Sequence, residues 1–172
     1  ASLSQDLPPI IVAEEIDAAT TRATEDFPLP GPDDIALIQY TSGSTSLPKG
    51  VVVTHGALMA NLEGIRRALD ANEDDIAVSW LPLHHDMGLI GSLLGSFYIG
   101  IPLVLMSTDA FIMRPHRWLD AISKYRATFS CAPNFAFHMA TRAADRVDPS
   151  TDLSRWRIAL CGAEPIDPAV IR

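Results

Sequence analysis

Short apolar runs alternate with helix-like stretches along this chain from residue 34 onward. The runs that favour strands lie at 35–40, 50–53, 76–80, 103–106, 128–131 and 157–161. Strands that alternate with helices are typical of an α/β fold, so the pattern predicts mostly parallel strands with flanking helices. Parallel strands place their carboxyl ends at one edge of a sheet, where open α/β sheets usually bind ligands.

Besides the uncharged stretch 87–108, three helices are predicted between these strands. Thr54 is a good N-cap for the first helix. In that helix, apolar residues recur at helical spacing, at Leu58, Leu62, Ile65 and Leu69. The second helix is predicted over 117–124 and the third over about 135–146.

The stretch 87–108 carries no charge over 22 residues, which is long enough in principle to span a bilayer. Gly100 and Pro102 divide it into a helix-like part and a short strand-like part, each too short to cross. We therefore predict a buried helix followed by a strand that is buried on both faces.

The first 33 residues are acidic and interrupted by prolines, so 1–33 is predicted to be a lead-in or linker and 34–172 the folded part. The whole chain of 172 residues is long enough for one domain. Its first residues lack both an initiator Met and an apolar signal segment. We expect the chain to be a piece of a longer protein.

Charge and cysteine content narrow the classes of partner. The 13 basic and 21 acidic residues give a formal net charge of −8, which argues against nucleic acid or an anionic membrane as the main partner. Any bound phosphate must be held by a local site. A chain of this size does not need a disulfide between Cys131 and Cys161. We expect free buried thiols and a cytoplasmic location.

The strongest candidate site is the segment 40–50, YTSGSTSLPKG, which lies between two strands predicted to be buried. Its amides, hydroxyl groups and single ammonium group can converge on an anion, as a polyphosphate site requires. It does not follow the Walker pattern, because Gly50 and not Ser or Thr follows Lys49. A flexible Ser/Gly linker is the alternative interpretation.

A second segment, SWLPLHHDMGL at 79–89, contains adjacent His84, His85 and Asp86, which suggests a metal site. Consecutive residues seldom bind one ion, however, and no other ligand cluster is spaced to complete such a site. The acyltransferase-like pattern HHxxxDG is also absent, because Asp86 follows His85 directly. We therefore predict no metal site in this chain.

Two further segments follow predicted strands. SCAPNFAF at 130–137 opens a helix, and Pro and Asn near a first helical turn need no functional explanation. CGAEPI at 161–166 ends the last strand, and a Gly directly after a strand is common in turns. Each of these segments is uninformative when it is considered alone.

Together, the four segments resemble those of the adenylate-forming superfamily, which includes acyl-CoA synthetases, luciferases, adenylation domains of peptide synthetases and fatty acyl-AMP ligases. The segment 40–50 resembles the phosphate-binding signature of the superfamily, except that Ser46 replaces the usual Gly. That departure, the Trp-Leu-Pro and His-Asp-Met-Gly elements of 79–89, and Ala-Pro-Asn-Phe-Ala at 132–136 resemble the fatty acyl-AMP ligases.

The resemblance implies a role for each segment. The residues that would hold the β and γ phosphates of ATP are Thr41, Ser42, Gly43, Ser44, Thr45 and Lys49. His85 would be the catalytic residue, at the junction of the acyl pocket and the nucleotide. Asn134 and Phe135 would form part of the acyl tunnel wall. The adenine would lie beside the turn formed by Gly162, Ala163 and Glu164.

The implied reaction is MgATP-dependent activation of a fatty acid to an acyl-adenylate, followed by transfer to the phosphopantetheine of an acyl carrier protein or polyketide synthase. The superfamily's Mg²⁺-binding Tyr-Gly-x-Thr-Glu turn, ribose-binding Asp, hinge and C-terminal catalytic Lys are not found in 1–172. We therefore expect a partial N-terminal AMP-binding domain, without the C-terminal domain and inactive alone. An acyl-CoA ligase, a peptide-synthetase adenylation domain and a non-catalytic nucleotide-binding module remain alternatives.

Overall fold

The structure, a computed structural model, describes residues 28–41 and 49–171. The fold is that of the compact unit that begins at Pro32. Its strands are β1 Ile35–Thr41, β2 Lys49–Thr54, β3 Ala77–Ser79, β4 Leu103–Leu105, β5 Phe129–Ala132 and β6 Ile158–Cys161. Its helices are α1 His55–Ala68, a π-helix Met87–Leu94, α2 Gly95–Ile99, α3 Thr108–Met113, α4 His116–Lys124, α5 Asn134–Arg142, a 3₁₀ turn Ala144–Arg146 and α6 Pro168–Ile171.

Four parallel strands form the main sheet in the order β4-β3-β5-β6. This arrangement confirms the predicted α/β fold class. The prediction that 103–106 is buried on both faces was wrong, because β4 is an edge strand and Leu105 is half exposed. An apolar run identifies a strand, but its neighbours in the sheet decide how far it is buried.

β1 and β2 form a separate antiparallel hairpin, with Tyr40 opposite Gly50. The expectation that both strands are buried was wrong, since Ile38, Tyr40 and Val52 are 51%, 72% and 54% exposed. Chain length explains the pairing. Only 42–48 connects the two strands, whereas a parallel crossover needs a dozen or more residues.

Local capping explains the helix boundaries. The hydroxyl of Thr54 accepts a hydrogen bond from the Ala57 N–H at 3.3 Å, which confirms the predicted N-cap of α1. Gly100 adopts φ +82° and ends α2 in the left-handed conformation that glycine tolerates best. The third predicted helix ends earlier than expected, at Arg142, and a 3₁₀ turn, Ala144–Arg146, takes up the rest of the predicted range.

The uncharged stretch 87–108 therefore forms the π-helix, α2, β4 and the start of α3. Among residues 28–41 and 49–171, no helix combines the length and apolar character that a membrane crossing needs.

Both faces of the main sheet are covered. On one face, Trp118 of α4 is fully buried, and its indole N–H donates to the Ser130 hydroxyl of β5 at 2.9 Å. Trp80 stacks on Phe111 of α3, with ring centroids 3.9 Å apart. The next residue of β5, Cys131, points to the opposite face. That face lies against α1 and the π-helix.

Candidate functional site

Three of the four segments meet at the carboxyl edge of the main sheet. β3, β5 and β6 are neighbours and run parallel, so the segments that follow them share one edge. The shared edge confirms the arrangement expected from the strand pattern. It brings the chain around His85, Asn134 and Gly162 together from distant parts of the sequence.

A tight turn holds His85 in place. Its backbone N–H donates to the Pro82 carbonyl at 3.1 Å, and its own carbonyl accepts from the N–H groups of Gly88 and Leu89 at 3.0 and 2.8 Å. A Cβ atom at Gly88 would lie only 2.3 Å from the Pro82 oxygen. Glycine is therefore required for the turn to close.

The imidazole of His85 is half exposed and lies beside Asp86, with 2.8 Å between Nδ1 and Oδ1. The Met87 N–H is closer to that carboxylate oxygen, at 2.7 Å, than to Nδ1, at 3.2 Å. Nδ1 can therefore keep its proton and donate it to Asp86. Both ring nitrogens are donors only in the imidazolium form, and in that form Nδ1–H can donate to Asp86 while Nε2–H donates to a ligand oxygen, such as that of a carboxylate or phosphate.

The segments after β5 and β6 are joined by two hydrogen bonds. The Phe135 N–H donates to Glu164 Oε1 at 2.7 Å, and the Asp167 N–H donates to Asn134 Oδ1 at 3.3 Å. Ala163 lies between β6 and this contact with a left-handed φ of +66°. The predicted positions of Asn134 and Phe135 beside an acyl chain, and of the 162–164 turn beside adenine, stay predictions.

An apolar cleft of about 510 Å³ opens next to these turns. Its walls come from α1, the π-helix, β5 and β6, and include Leu58, Ile65, Met87, Ile90, Cys131 and Leu160. Asp86 and Ala163 also line it, so the cleft reaches both the His85 turn and the 162–164 turn. An apolar volume that ends at polar groups suits a ligand with an apolar chain and a charged head.

The cleft contains one thiol. Burial raises the pKa of Cys131, although the Ser92 hydroxyl at 3.4 Å acts in the opposite direction, so the thiol is uncharged. Cys161 pairs in register with Ala132 and lies on the other face of the sheet from Cys131. Both cysteines are free, as predicted, but only Cys131 is buried, so the expectation of a buried thiol was wrong for the partly exposed Cys161.

Sequence reasoning missed most of these walls. The predicted wall residues Asn134 and Phe135 are not among the described residues that line the cleft. The apolar face of α1 and the small residue Gly91 were the signals that could have revealed it. Both are visible in the sequence, but each is equally typical of ordinary core packing.

The predicted phosphate-binding segment is described only at its ends. Thr41 and Lys49 are partners in the β1–β2 register, and they bring the ends of the segment together. Ser42, Gly43, Ser44 and Thr45 lie outside the described residues. Within the described ranges, no three His, Cys, Asp or Glu side chains are grouped as metal ligands.

Comparison with known proteins supports the resemblance. The sequence model of a family described as AMP-binding enzyme matches residues 3–172. The medium-chain-fatty-acid–[acyl-carrier-protein] ligase TtuA of Teredinibacter turnerae is 48% identical over 81% of this chain and 22% of that protein. The long-chain-fatty-acid–AMP ligase FadD32 of Mycobacterium marinum is 42% identical over 91% of this chain and 26% of that protein.

A solved structure has the same fold. It is the fatty acyl-adenylate ligase from L. pneumophila in complex with acyl adenylate and pyrophosphate, with a TM-score of 0.77 and 45% identity. The match covers 81% of this chain and 25% of that chain. These matches confirm the resemblance drawn from the four segments. The chain spans about a quarter of the length of these relatives.

Proposed function

The chain belongs to the family of AMP-binding enzymes, and from that premise we propose that the protein containing it activates a fatty acid as its acyl-adenylate. ATP is the second substrate and pyrophosphate the first product. Because the chain spans about a quarter of its relatives, the proposal concerns the native-length protein. The names of those relatives, a medium-chain-fatty-acid–[acyl-carrier-protein] ligase and a long-chain-fatty-acid–AMP ligase, support it.

One observation carries the proposal. The lining of the apolar cleft includes Asp86, next to His85, and Ala163 in the turn that follows β6. An acyl-adenylate needs this combination, because an apolar chain is joined through a carbonyl to a charged phosphate and a nucleoside. The cleft would take the chain, and the polar edge of the sheet would take the rest.

In the proposed reaction, a carboxylate oxygen of the fatty acid attacks the α-phosphorus of ATP, and the bond to the β-phosphate oxygen breaks to release pyrophosphate. Positioning and charge stabilisation supply most of the catalysis in such a transfer. His85, as an imidazolium that donates through Nδ1–H to Asp86, would donate through Nε2–H to the carboxylate. The segment 41–45 and Lys49 would hold the β and γ phosphates.

Mg²⁺ would accompany ATP in this scheme. The described residues provide no group of three side chains to bind it, so we assign them no part in holding the ion. The names of the relatives favour a carrier-protein thiol over CoA as the acceptor. Mass analysis of the products formed with holo acyl carrier protein or with CoA would distinguish the two acceptors.

Fatty-acid-dependent exchange of pyrophosphate into ATP by the native-length protein tests the proposal. We expect exchange with fatty acids and, for Lys49→Ala, a loss of about tenfold or more from a missing charge-assisted contact. The chain of 172 residues alone should show negligible exchange. A protein that binds ATP without any acid-dependent exchange would instead support the non-catalytic module.

A further inference from the structure

The start of α5 is capped from a distant part of the chain. Pro133 stands at the N-cap of α5 and offers no side-chain hydrogen bond. The Phe135 N–H, one of the amides left unpaired at a helix start, is satisfied instead by Glu164, 29 residues later. A carboxylate at that end of a helix is also favoured by the helix dipole.

The residue before Glu164 forms part of the cleft. Ala163 lines the cleft and adopts φ +66°, a conformation that costs a non-glycine residue free energy. Its neighbour Gly162 lies close to Met87, since a Cβ atom there would be 4.0 Å from the Met87 sulfur. The geometry of this turn therefore sets the shape of the cleft next to the polar edge.

The other end of the contact, Phe135, is 43% exposed but touches the core. The ring of Phe135 packs edge-on against Trp80, with centroids 6.2 Å apart. Trp80 is 2% exposed and stacks on the fully buried Phe111. The 162–164 turn is thus bound through Glu164 to a helix start that packs on the rigid aromatic core.

We propose that Glu164 is a positioning residue, which tethers the 162–164 turn to α5 and so holds Ala163 in the position that an acyl-adenylate requires. This role differs from lining the adenine site, because Glu164 acts through Ala163 and need not touch the ligand. The inference rests on the proposed function. It predicts that binding of the intermediate depends on the acceptor oxygen at position 164.

The test is calorimetric binding of dodecanoyl sulfamoyl-adenosine, a non-hydrolysable acyl-adenylate analogue, to the native-length protein. Glu164→Ala removes the acceptor and should weaken binding about five- to tenfold. Glu164→Gln keeps an acceptor oxygen and should bind within about twofold of wild type. Glu164→Asp, which is shorter by one methylene group, should behave like the alanine variant, and it replaces that variant if the latter does not fold.

Ser107→Ala is the matched control. The Ser107 hydroxyl caps α3 by accepting from the Ala110 N–H at 3.2 Å, so its loss should lower the melting temperature about as much as Glu164→Ala does. It should leave analogue binding unchanged. Equal weakening by Ser107→Ala and Glu164→Ala, or wild-type binding by Glu164→Ala, would overturn the inference. Failure of the wild-type protein to bind would overturn the proposed function itself.

Discussion

At the scale of single residues, Asp86 has two partners at the carboxyl edge. Its Oδ1 accepts from the Met87 N–H at 2.7 Å and lies 2.8 Å from His85 Nδ1. The first contact begins the π-helix, and the second orients the imidazole. A substitution that keeps the first contact and removes the charge can therefore separate folding from catalysis.

Asp86→Asn should separate the folding role of Asp86 from its role in catalysis. The amide oxygen can still accept from Met87, so the melting temperature should stay close to that of wild type. The weaker contact to His85 should lower kcat/KM for fatty-acid-dependent exchange about tenfold, the effect of losing a charge-assisted hydrogen bond. Unchanged exchange would show that Asp86 has no role beyond starting the helix.

Gly88 tests the turn that presents His85. Gly88→Ala would place a Cβ atom 2.3 Å from the Pro82 oxygen, and the forced backbone shift should destabilise the fold by about 2 kcal/mol. Denaturant unfolding would measure this. Gly64→Ala is the control, because nothing lies within 4 Å of a Cβ there in α1. It should stabilise the fold by about 0.5–1 kcal/mol, so equal effects would contradict the described turn.

At the scale of elements, the sequence predicted what depends on local pattern. Apolar runs and the Thr54 cap identify strands and the start of α1 from nearby residues alone. The position of each strand in a sheet depends on distant partners. The edge location of β4 and the exposed hairpin around Tyr40 were therefore not predictable from the runs. The helix α3 was also not predicted, because 108–113 is short and begins at the last residue of the uncharged stretch.

The π-helix supplies a test of what the cleft holds. Gly91 lines the cleft, and the nearest atom to a Cβ placed there is Met87 Cγ at 4.0 Å, so a larger side chain has room to project inward. Gly91→Leu should shorten the cleft and shift the preferred acid in exchange assays toward shorter chains. KM for ATP should stay within about twofold of wild type.

An unchanged preference for acid chain length in Gly91→Leu would contradict the proposal that the acyl chain lies in this cleft. Gly91→Ala serves as the graded control, since a single methyl group makes only ordinary contact with Met87. Its chain-length preference should lie between those of wild type and the leucine variant. Thermal unfolding of both variants would show that any change in preference comes from a folded protein.

At the scale of the whole molecule, a buried ion pair joins the amino edge of the sheet. Asp75 is 3% exposed and accepts from Arg157 Nε at 2.9 Å and from the Thr128 hydroxyl at 2.6 Å. The same guanidinium donates to the Leu69 and Asp70 carbonyls that follow α1. One side-chain cluster thus connects α1, β5 and β6 at the edge opposite the candidate site.

Asp75→Asn should lower the free energy of unfolding by about 2 kcal/mol, because the substitution leaves Arg157 without its anionic partner while that side chain keeps some contact with water. Exchange activity per folded molecule should stay within about twofold of wild type, since the cluster lies at the edge opposite His85 and touches the cleft lining only at Leu69. Urea unfolding and pyrophosphate exchange measure the two quantities. A large loss of activity without a loss of stability would contradict a purely structural role.

The same residue predicts a pH dependence. Burial acts to raise the pKa of the Asp75 carboxyl, but hydrogen bonds from Arg157, Thr128 and the Asn72 N–H together hold it below its ordinary value. A lowered pKa stabilises the folded state above the unfolded pKa of about 3.9. The stability difference between wild type and Asp75→Asn should therefore be constant above about pH 5 and shrink as the pH falls through the folded pKa. A difference that grows in acid would contradict this assignment.

Part of the candidate site was predictable from the order of strands and loops along the chain. Loops that follow parallel strands share an edge whatever the details of packing, so the meeting of the segments around His85, Asn134 and Gly162 could be expected. The cleft could not, because its walls come from α1 and the π-helix as well as from β5 and β6. Contacts between helices depend on tertiary packing, which a single sequence does not reveal.

The most direct test of the account is a crystal structure of the native-length protein with dodecanoyl sulfamoyl-adenosine bound. We predict the alkyl chain in the cleft beside Met87 and Gly91, the polar linkage within hydrogen-bond distance of His85 Nε2, and the nucleoside next to the 162–164 turn. An analogue bound elsewhere, with the cleft filled by protein side chains, would contradict the central claim that this cleft and edge form one acyl-adenylate site.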